Sequence, residues 1–130
     1  MKLTSRICYA LAAAILLLGA YLHARAFILK TDALIDASTL PPAVGAALKA
    51  LWLCDSSTLS VVGVALLVLA ARPQAASRGI AVALALIPAA TAALVYAFVG
   101  PFFAAHLLIA AVVLSLIGTF AAPASRAART

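Results

Sequence analysis

Charged residues are scarce in this chain of 130 residues, where they make up 9% of the sequence. An average soluble domain carries about 25%. Acidic residues are the rarest of them, with three in the whole chain. The sequence has no pair of carboxylates suited to acid–base catalysis, no Gly-rich phosphate loop and no nucleophile elbow. These absences leave an enzyme with little direct support.

Cysteine is also rare, with Cys8 and Cys54 as the two examples and no CxxC pair. Redox exchange usually needs closely spaced thiols, so the sequence gives no sign of a redox-exchange site. In the topology derived below, the two cysteines lie at opposite faces of a membrane. We therefore expect no disulfide between them.

Apolar residues dominate instead: 68% of the chain is hydrophobic and its mean hydropathy is +1.25. A helix of about 20 apolar residues crosses the ~30 Å hydrocarbon layer of a bilayer. Backbone polar groups must be paired internally in lipid, so apolar runs of this length are expected to be α-helices. We predict an all-α polytopic membrane protein, a four-transmembrane-helix bundle that forms a single membrane domain over residues 1–130. The predicted spans are about 7–27, 51–71, 79–99 and 102–120.

Proline and glycine mark the ends of the spans. Pro41 and Pro42 suit a helix start, because the N–H that proline lacks would be unpaired there anyway. Span two is therefore expected to begin near Pro42, with its first stretch outside the hydrocarbon, and Pro73 is a natural stop after it. Gly100 and Pro101 leave almost no loop between spans three and four. This predicts a tight antiparallel hairpin with Pro101 in the first turn of span four.

The basic residues are distributed unequally between the two ends of the spans. Lys and Arg concentrate on the cytoplasmic side of membrane proteins, so their distribution predicts orientation. The favoured orientation has both termini in the cytoplasm and residues 29–49 outside. The composition, rich in Ala and Arg, suggests a bacterial inner membrane. Six basic residues flank the predicted inner side, Lys2, Arg6, Arg72, Arg78, Arg126 and Arg129, and three flank the outer side, Arg25, Lys30 and Lys49.

The net charge of +6 has the same explanation. A nucleic-acid surface needs a basic stripe interleaved with aromatic residues, and the sequence has none. We therefore expect membrane lipids, and no nucleic acid, as partners.

The first span has a competing interpretation as a secretory signal peptide. Lys2 and Arg6 precede the apolar run, and Ala24 and Ala26 flank Arg25 in an A-x-A pattern. The apolar run is already as long as that of a signal peptide normally gets, which favours a retained span. Cleavage would leave three spans.

Small residues recur at helical spacing and predict helix-packing faces. In lipid, helices associate through close van der Waals contact, which small side chains permit. Such faces also suit self-association into a homo-oligomer or packing against a larger membrane complex, so a structural or accessory subunit is our second functional hypothesis. The rows are Ala81, Ala85, Ala89, Ala93 and Ala97 on span three, Ala111, Ser115 and Thr119 on span four, and Ser56 and Ser60 on span two.

Polar side chains from all four spans are expected at one level, just below the outer surface. Asp55 lies about four residues, or 6 Å, below the outer end of span two at a rise of 1.5 Å per residue. His23, Tyr96 and His106 lie at a similar depth in the other spans. An ionisable group in the hydrocarbon costs up to about 2.5–3.5 kcal/mol and normally faces a partner inside the bundle. Arg25, His23 and His106 are the partners available to Asp55.

This polar layer supports several interpretations. Interhelical hydrogen bonding alone would account for it, at about 0.6 kcal/mol per contact. Our first functional hypothesis is a ligand pocket open to the outer leaflet, because a quinone or a lipid head group needs an apolar slot with a few placed polar groups. The predicted ligand-binding residues are His23, Arg25, Trp52, Asp55, Ser56, Tyr96 and His106, with Phe103 beside them.

The same layer contains ligands for a metal or a haem. Imidazole and carboxylate bind Zn or Fe, so His23, His106 and Asp55 form a candidate metal set. A b-type haem between His23 and His106 is a further alternative, with Arg25 and Lys49 near its propionates. Quinone, haem b and metal stay open as cofactors. The inner halves of the spans carry no charged residue, which argues against a proton or ion path through the bundle.

Overall fold

The computed structural model describes residues 3–72 and 77–121, and every secondary-structure element in these ranges is helical. Four helical segments are long and apolar enough to cross a membrane. The prediction of an all-α fold with four membrane-length helices is confirmed. The elements are α1 (Leu3–Ala26), a π-helical turn (Phe27–Thr31), α2 (Asp32–Asp36), α3 (Pro42–Ala71), α4 (Arg78–Phe98) and α5 (Phe103–Ala121).

The first helical segment is longer than the sequence predicted. α1 does not stop near residue 27 but continues through the π-helical turn into α2, which ends at Asp36. The segment 29–49, expected as an outer loop, is therefore mostly helical, with residues 37–41 between α2 and α3. The cause is local, because Ala, Leu and Lys keep helix propensity high after the apolar run ends.

Hydrogen bonds between helices fix the end of the bundle where α1 begins and α5 ends. The Ser5 hydroxyl donates to the Gly118 carbonyl oxygen at 2.8 Å, and the Tyr9 hydroxyl donates to Thr119 Oγ1 at 3.0 Å. Ser5, Tyr9 and Thr119 are all buried. Because the start of α1 meets the end of α5, the two helices are antiparallel. We call this end of the bundle the terminal end.

Arg6 caps α3 at the same terminal end. Its guanidinium donates from Nε to the Ala70 carbonyl oxygen at 3.0 Å and from Nη2 to the Ala71 carbonyl oxygen at 2.9 Å. The last carbonyls of a helix have no partner within the helix, and a cation there also faces the negative end of the helix dipole. Arg6 therefore joins α1 to α3. The other residues predicted near this end, Lys2, Pro73, Arg126 and Arg129, lie outside the described residues.

The helices differ in length, and this difference produces a projecting hairpin. α3 begins at Pro42 with Pro41 as its N-cap, as predicted, and its 30 residues are about 45 Å long. α4 and α5, with 21 and 19 residues, match the ~30 Å hydrocarbon layer. The long helices are aligned at the terminal end, where the start of α1 contacts the ends of α3 and α5. At the opposite end, α1 with α2 and the first part of α3 therefore extend beyond the α4–α5 pair. We call this projecting hairpin, residues 24–53, the head.

The α4–α5 connection is as short as the sequence predicted and occupies residues 99–102. Gly100 has φ = +87°, in the left-handed region that glycine adopts without a Cβ clash. Pro101 precedes α5 and does not lie in its first turn, which corrects the prediction. Phe102 begins the helical bonding instead, because its carbonyl oxygen accepts from the Ala105 N–H at 3.0 Å.

The closest helix pairs are α1–α3, α1–α5 and α4–α5, whereas α3 and α4 approach each other at few positions. Small residues permit the close approaches: a Cβ on Gly63 would lie 2.8 Å from Leu17 Cγ. One apolar core takes side chains from all four long helices, with Leu16 of α1 and Leu66 of α3 fully buried. α1 therefore lies between α3 and α5. Cys8 is buried, Cys54 is exposed, and both are free thiols.

The predicted alanine row on span three is partly wrong. With 3.6 residues per turn, a row spaced by four residues rotates about 40° at each step, so its later members leave the packing face. The buried residues of α4 are Ala81, Ala85, Pro88 and Ala92, while Ala89 is half-buried and Ala93 and Ala97 are exposed. The shorter row on α5 is confirmed, since Ala111, Ser115 and Thr119 are all buried.

Candidate functional site

The level of the predicted polar layer follows from the register of α1 and α5. Ser5 lies against Gly118, and α5 begins about fifteen residues before that glycine, at Phe103. The same distance along α1 places the start of α5 opposite Ala20. His23 lies about one turn further, at the level of the α4–α5 connection. We call this level the rim; it is the base of the head.

His23 is held at the rim by contacts from α3. Its Nδ1 lies 2.9 Å from the Ser56 hydroxyl oxygen. Its ring is parallel to the indole of Trp52, with 4.4 Å between the ring centroids. Trp52 Nε1 also donates to the His23 carbonyl oxygen at 3.1 Å. We call His23, Trp52, Asp55 and Ser56 the His23 cluster.

Asp55 pairs with His23, one of its three predicted partners. Its Oδ2 lies 3.8 Å from His23 Nδ1, and the two side chains are 35% and 32% exposed. Arg25, another of these candidates, is exposed and has no hydrogen-bond or ion-pair partner in the described part of the chain. α3 begins at Pro42, as expected, so Asp55 lies near the middle of this helix although it is about four residues inside the predicted span. The aspartate is tolerated because it lies partly exposed at the rim.

Tyr96 and His106 form a second pair. Tyr96 lies in the last turn of α4 and His106 in the first turn of α5, and their rings meet edge-on with centroids 5.6 Å apart. His106 is exposed, with Nδ1 3.0 Å from the Phe102 carbonyl oxygen, and lies about 9 Å nearer the terminal end than His23. No hydrogen bond, ion pair or ring contact between described residues joins this pair to the His23 cluster. The single layer predicted from depth is therefore two groups.

The predicted metal set is not assembled. Two imidazoles on one metal ion have their nitrogens within about 4 Å of each other, at metal–nitrogen distances near 2.0–2.1 Å. His23 and His106 have different partners at different levels, and no group of three His, Cys, Asp or Glu residues in ranges 3–72 and 77–121 could hold a metal ion. A haem between the same histidines would need the same convergence. A quinone stays a prediction.

A groove of about 420 Å³ follows the seam between α1 and α3 beside the His23 cluster, with which it shares Ser56. The Ser57 and Ser60 hydroxyls donate to carbonyl oxygens four residues earlier in α3, at 2.9 and 2.8 Å. A hydroxyl oxygen that donates one bond can still accept others, so both remain acceptors for a ligand. The groove is lined by Leu17, Ala20, Tyr21 and Ala24 of α1 and by Leu53, Ser56, Ser57 and Ser60 of α3.

Sequence reasoning missed the α1 wall of this groove. Its four residues belong to an ordinary apolar run, and their i, i+3, i+4, i+7 spacing was the available signal. Of the predicted ligand-binding residues, Ser56 lines the groove, and His23, Trp52 and Asp55 adjoin it through the cluster. Arg25, Tyr96 and His106 are not part of its lining.

Comparisons with protein-family models, with curated proteins and with solved structures found no match. The function is therefore inferred from the residues of this chain. The features that bear on it are the groove, with three serines on its α3 wall, and the position of the groove at the rim.

Proposed function

We propose that this multi-pass membrane protein binds an amphipathic ligand in the groove between α1 and α3. One observation carries the proposal: a mostly apolar wall from α1 faces an α3 wall that contains three serines beside Leu53. Ligand sites are commonly apolar slots of about 300–1,000 Å³ with a few placed polar groups. The groove, at about 420 Å³, has this size and composition.

The position of the groove also suits an amphipathic ligand. Its α1 wall extends from Leu17 to Ala24 and so crosses the level of Ala20, where α5 begins. Since α4 and α5 match the thickness of the hydrocarbon, this level corresponds to the boundary between hydrocarbon and head groups. The apolar part of the ligand would lie towards Leu17 and its polar end towards Ala24.

We also infer that the membrane is a bacterial inner membrane and that both termini are cytoplasmic. Arg6 and Arg72 lie at the terminal end, while the three aspartates lie at or beyond the rim. Basic flanks favour the cytoplasmic side, which places the head in the periplasm. A fluorescent protein fused to the C terminus should then be fluorescent, and an alkaline phosphatase fused there inactive. The reverse result would contradict this orientation.

Native mass spectrometry of the protein purified in mild detergent tests ligand binding. We expect one retained amphipathic molecule per chain, and the absorption spectrum and metal content of the same sample will distinguish a lipid from a quinone or haem. Ser57→Leu places a bulky side chain on the serine wall, and should lower the retained fraction about fivefold or more because the slot narrows and loses an acceptor.

Thr91→Leu is the matched control for this substitution. The Thr91 hydroxyl donates to the Ile87 carbonyl oxygen at 3.3 Å, the same type of bond that Ser57 makes, but Thr91 lies on α4 away from the groove. Retention lost in Ser57→Leu and kept in Thr91→Leu supports the groove. A wild-type protein that carries no bound molecule, or equal retention by both variants, would refute it.

A second candidate function is an accessory subunit that packs against a larger membrane complex or against copies of itself. The head favours it, because exposed apolar patches mark interaction sites. Ile28→Ser with Leu34→Ser separates the two candidates: an accessory subunit would lose its partner or oligomer on a sizing column while the ligand is retained. The exposed large apolar residues of the head are Ile28, Leu29, Leu34, Leu40, Val44, Leu48, Leu51 and Leu53.

A further inference from the structure

Arg25 lies at the head end of the groove. It follows Tyr21 by four residues along α1, so it continues the groove's α1 wall by one helical turn. Its side chain is exposed and has no hydrogen-bond or ion-pair partner among residues 3–72 and 77–121. A guanidinium binds phosphate and carboxylate oxygens through paired N–H groups. The end of the groove is therefore suited to an anion.

We propose that the occupant of the groove is a phosphate-bearing lipid of the bilayer, with its phosphate at Arg25 and the first part of its chains between α1 and α3. The inference rests on the proposed function and names the ligand class. A source in the bilayer is favoured because Leu17, at the other end of the groove, lies on the hydrocarbon side of Ala20 and of the rim.

The α1 wall of the groove follows the order of groups in such a lipid, and Ser57 of α3 lies beside the middle of this wall. Leu17 lies at the hydrocarbon end and matches an acyl chain. Tyr21 and Ser57 lie between Leu17 and Arg25, so their hydroxyls match the ester and glycerol oxygens of the lipid. Tyr21 is 60% exposed and its hydroxyl has no partner in the described part of the chain, so it can donate to a ligand. Arg25 then meets the phosphate.

The other charged groups near this level do not oppose an anion at Arg25. Asp55 lies against His23, with Oδ2 3.8 Å from the imidazole Nδ1, and does not line the groove. The two aspartates of α2 bind Lys49, with oxygen–nitrogen distances of 2.6 and 2.7 Å. Lys30 is also exposed, but it belongs to the π-helical turn beyond α1 and does not continue the groove wall. Arg25 is thus the cation placed to meet a lipid phosphate.

Native mass spectrometry with defined lipids tests this inference on the full chain. The probes are phosphatidylglycerol, diacylglycerol with the same acyl chains, and inorganic phosphate as a competitor. We expect the wild type to retain phosphatidylglycerol about tenfold better than diacylglycerol. Diacylglycerol has no phosphate and therefore cannot accept charge-assisted hydrogen bonds from Arg25. Arg25→Gln should remove this preference and leave diacylglycerol retention unchanged.

Arg72→Gln is the matched control, because it removes the same charge from an exposed arginine at the terminal end. It should keep the wild-type preference. Equal retention of both lipids by the wild type would overturn the phosphate contact while leaving the groove intact, whereas retention of neither lipid would overturn the proposed function as well. Displacement by millimolar inorganic phosphate would show that a free anion is the ligand. If Arg25→Gln and Arg72→Gln lost the preference for phosphatidylglycerol equally, the preference would come from the net positive charge of the protein and not from a site at Arg25.

Discussion

The imidazole of His23 and the indole of Trp52 lie parallel, with 4.4 Å between their centroids and 1° between their planes. Trp52 also donates from Nε1 to the backbone oxygen of the same histidine. One residue of α3 thus holds both the ring and the main chain of His23. This joint connects the head to the four-helix body, at the level of the end of the groove marked by Ala24.

His23→Leu should loosen the joint between α1 and α3. An aromatic pair contributes about 0.5–1.5 kcal/mol, and a hydrogen bond between membrane helices about 0.6 kcal/mol. Loss of the stack and of the Ser56 bond should therefore lower the free energy of unfolding by about 1–2 kcal/mol. Trp52→Phe keeps a stacking ring and loses the N–H, so its effect should be about half as large. Unfolding in sodium dodecyl sulfate, followed by circular dichroism, measures both; wild-type stability in His23→Leu would contradict the role of the stack.

Gly118→Ala should destabilise the pair α1–α5. A Cβ at this position would lie 3.2 Å from two ring carbons of Tyr9 and 3.3 Å from the Ser5 carbonyl oxygen. The ring cannot easily retreat, because Tyr9 is 3% exposed and bonded to Thr119. Overpacking of this kind typically costs about 1–3 kcal/mol. The same unfolding assay measures it.

Gly19→Ala is the control for that substitution. A Cβ on Gly19 meets nothing within 4 Å, so the change adds helix propensity without a clash. It should leave stability unchanged or raise it by up to about 1 kcal/mol. If both glycine variants behaved alike, the close contact at Gly118 would not be the cause.

Arg6→Ala should expose the end of α3. The two carbonyl oxygens that the guanidinium binds would lose their partner, and the favourable charge at the helix terminus would go with it. We expect a loss of about 0.5–1 kcal/mol and faster hydrogen exchange in the last turn of α3. Arg6→Lys keeps the charge but not the fork of donors, so it should show an intermediate effect. Slower or unchanged exchange in Arg6→Ala would rule out the cap.

Lys49→Met should loosen the head without affecting the body. Lys49 Nζ binds both Asp32 and Asp36, and so holds α2 against α3. These are exposed contacts, so high salt should weaken them in the wild type in the same way. Hydrogen–deuterium exchange should become faster in α2 and stay unchanged in α4 and α5. Lys30→Met, which removes an unpaired cation of the head, should leave the exchange pattern of the wild type.

The four helices were predictable because a single physical property, the length of the apolar runs, specifies them. Pro42 also specified the start of α3 correctly. The head was not predictable in the same way. A window chosen to match the hydrocarbon ends near residue 27, whereas helix formation depends on propensity and continues to Asp36. The sequence therefore predicted the lengths of α4 and α5 correctly, but it underestimated the length of the helical segment that contains α1.

The depth of the site residues in the membrane was predictable from the sequence, but the side of the helix on which each residue meets its neighbours was not. Counting residues from the span ends placed His23 and Asp55 at one depth. In the structure, His23 Nδ1 lies 3.8 Å from Asp55 Oδ2. The same count could not show that His106 faces Tyr96, because rotation about the helix axis depends on which helices are neighbours. The hydroxyl contact of Tyr9 with Thr119 was missed for a related reason, since residues 110 positions apart carry no local signal of their pairing.

The proposed site requires lipid-like molecules to occupy the seam between α1 and α3 in preference to the rest of the apolar surface. The most direct measurement is photo-cross-linking in vesicles with a phosphatidylglycerol that carries a diazirine in its acyl chain near the glycerol, followed by peptide mapping. We predict adducts concentrated within residues 17–24 and 53–60 that unlabelled lipid competes away. Adducts spread evenly over the exposed faces of α1, α3, α4 and α5, with no competition by unlabelled lipid, would show that the seam is not a lipid site.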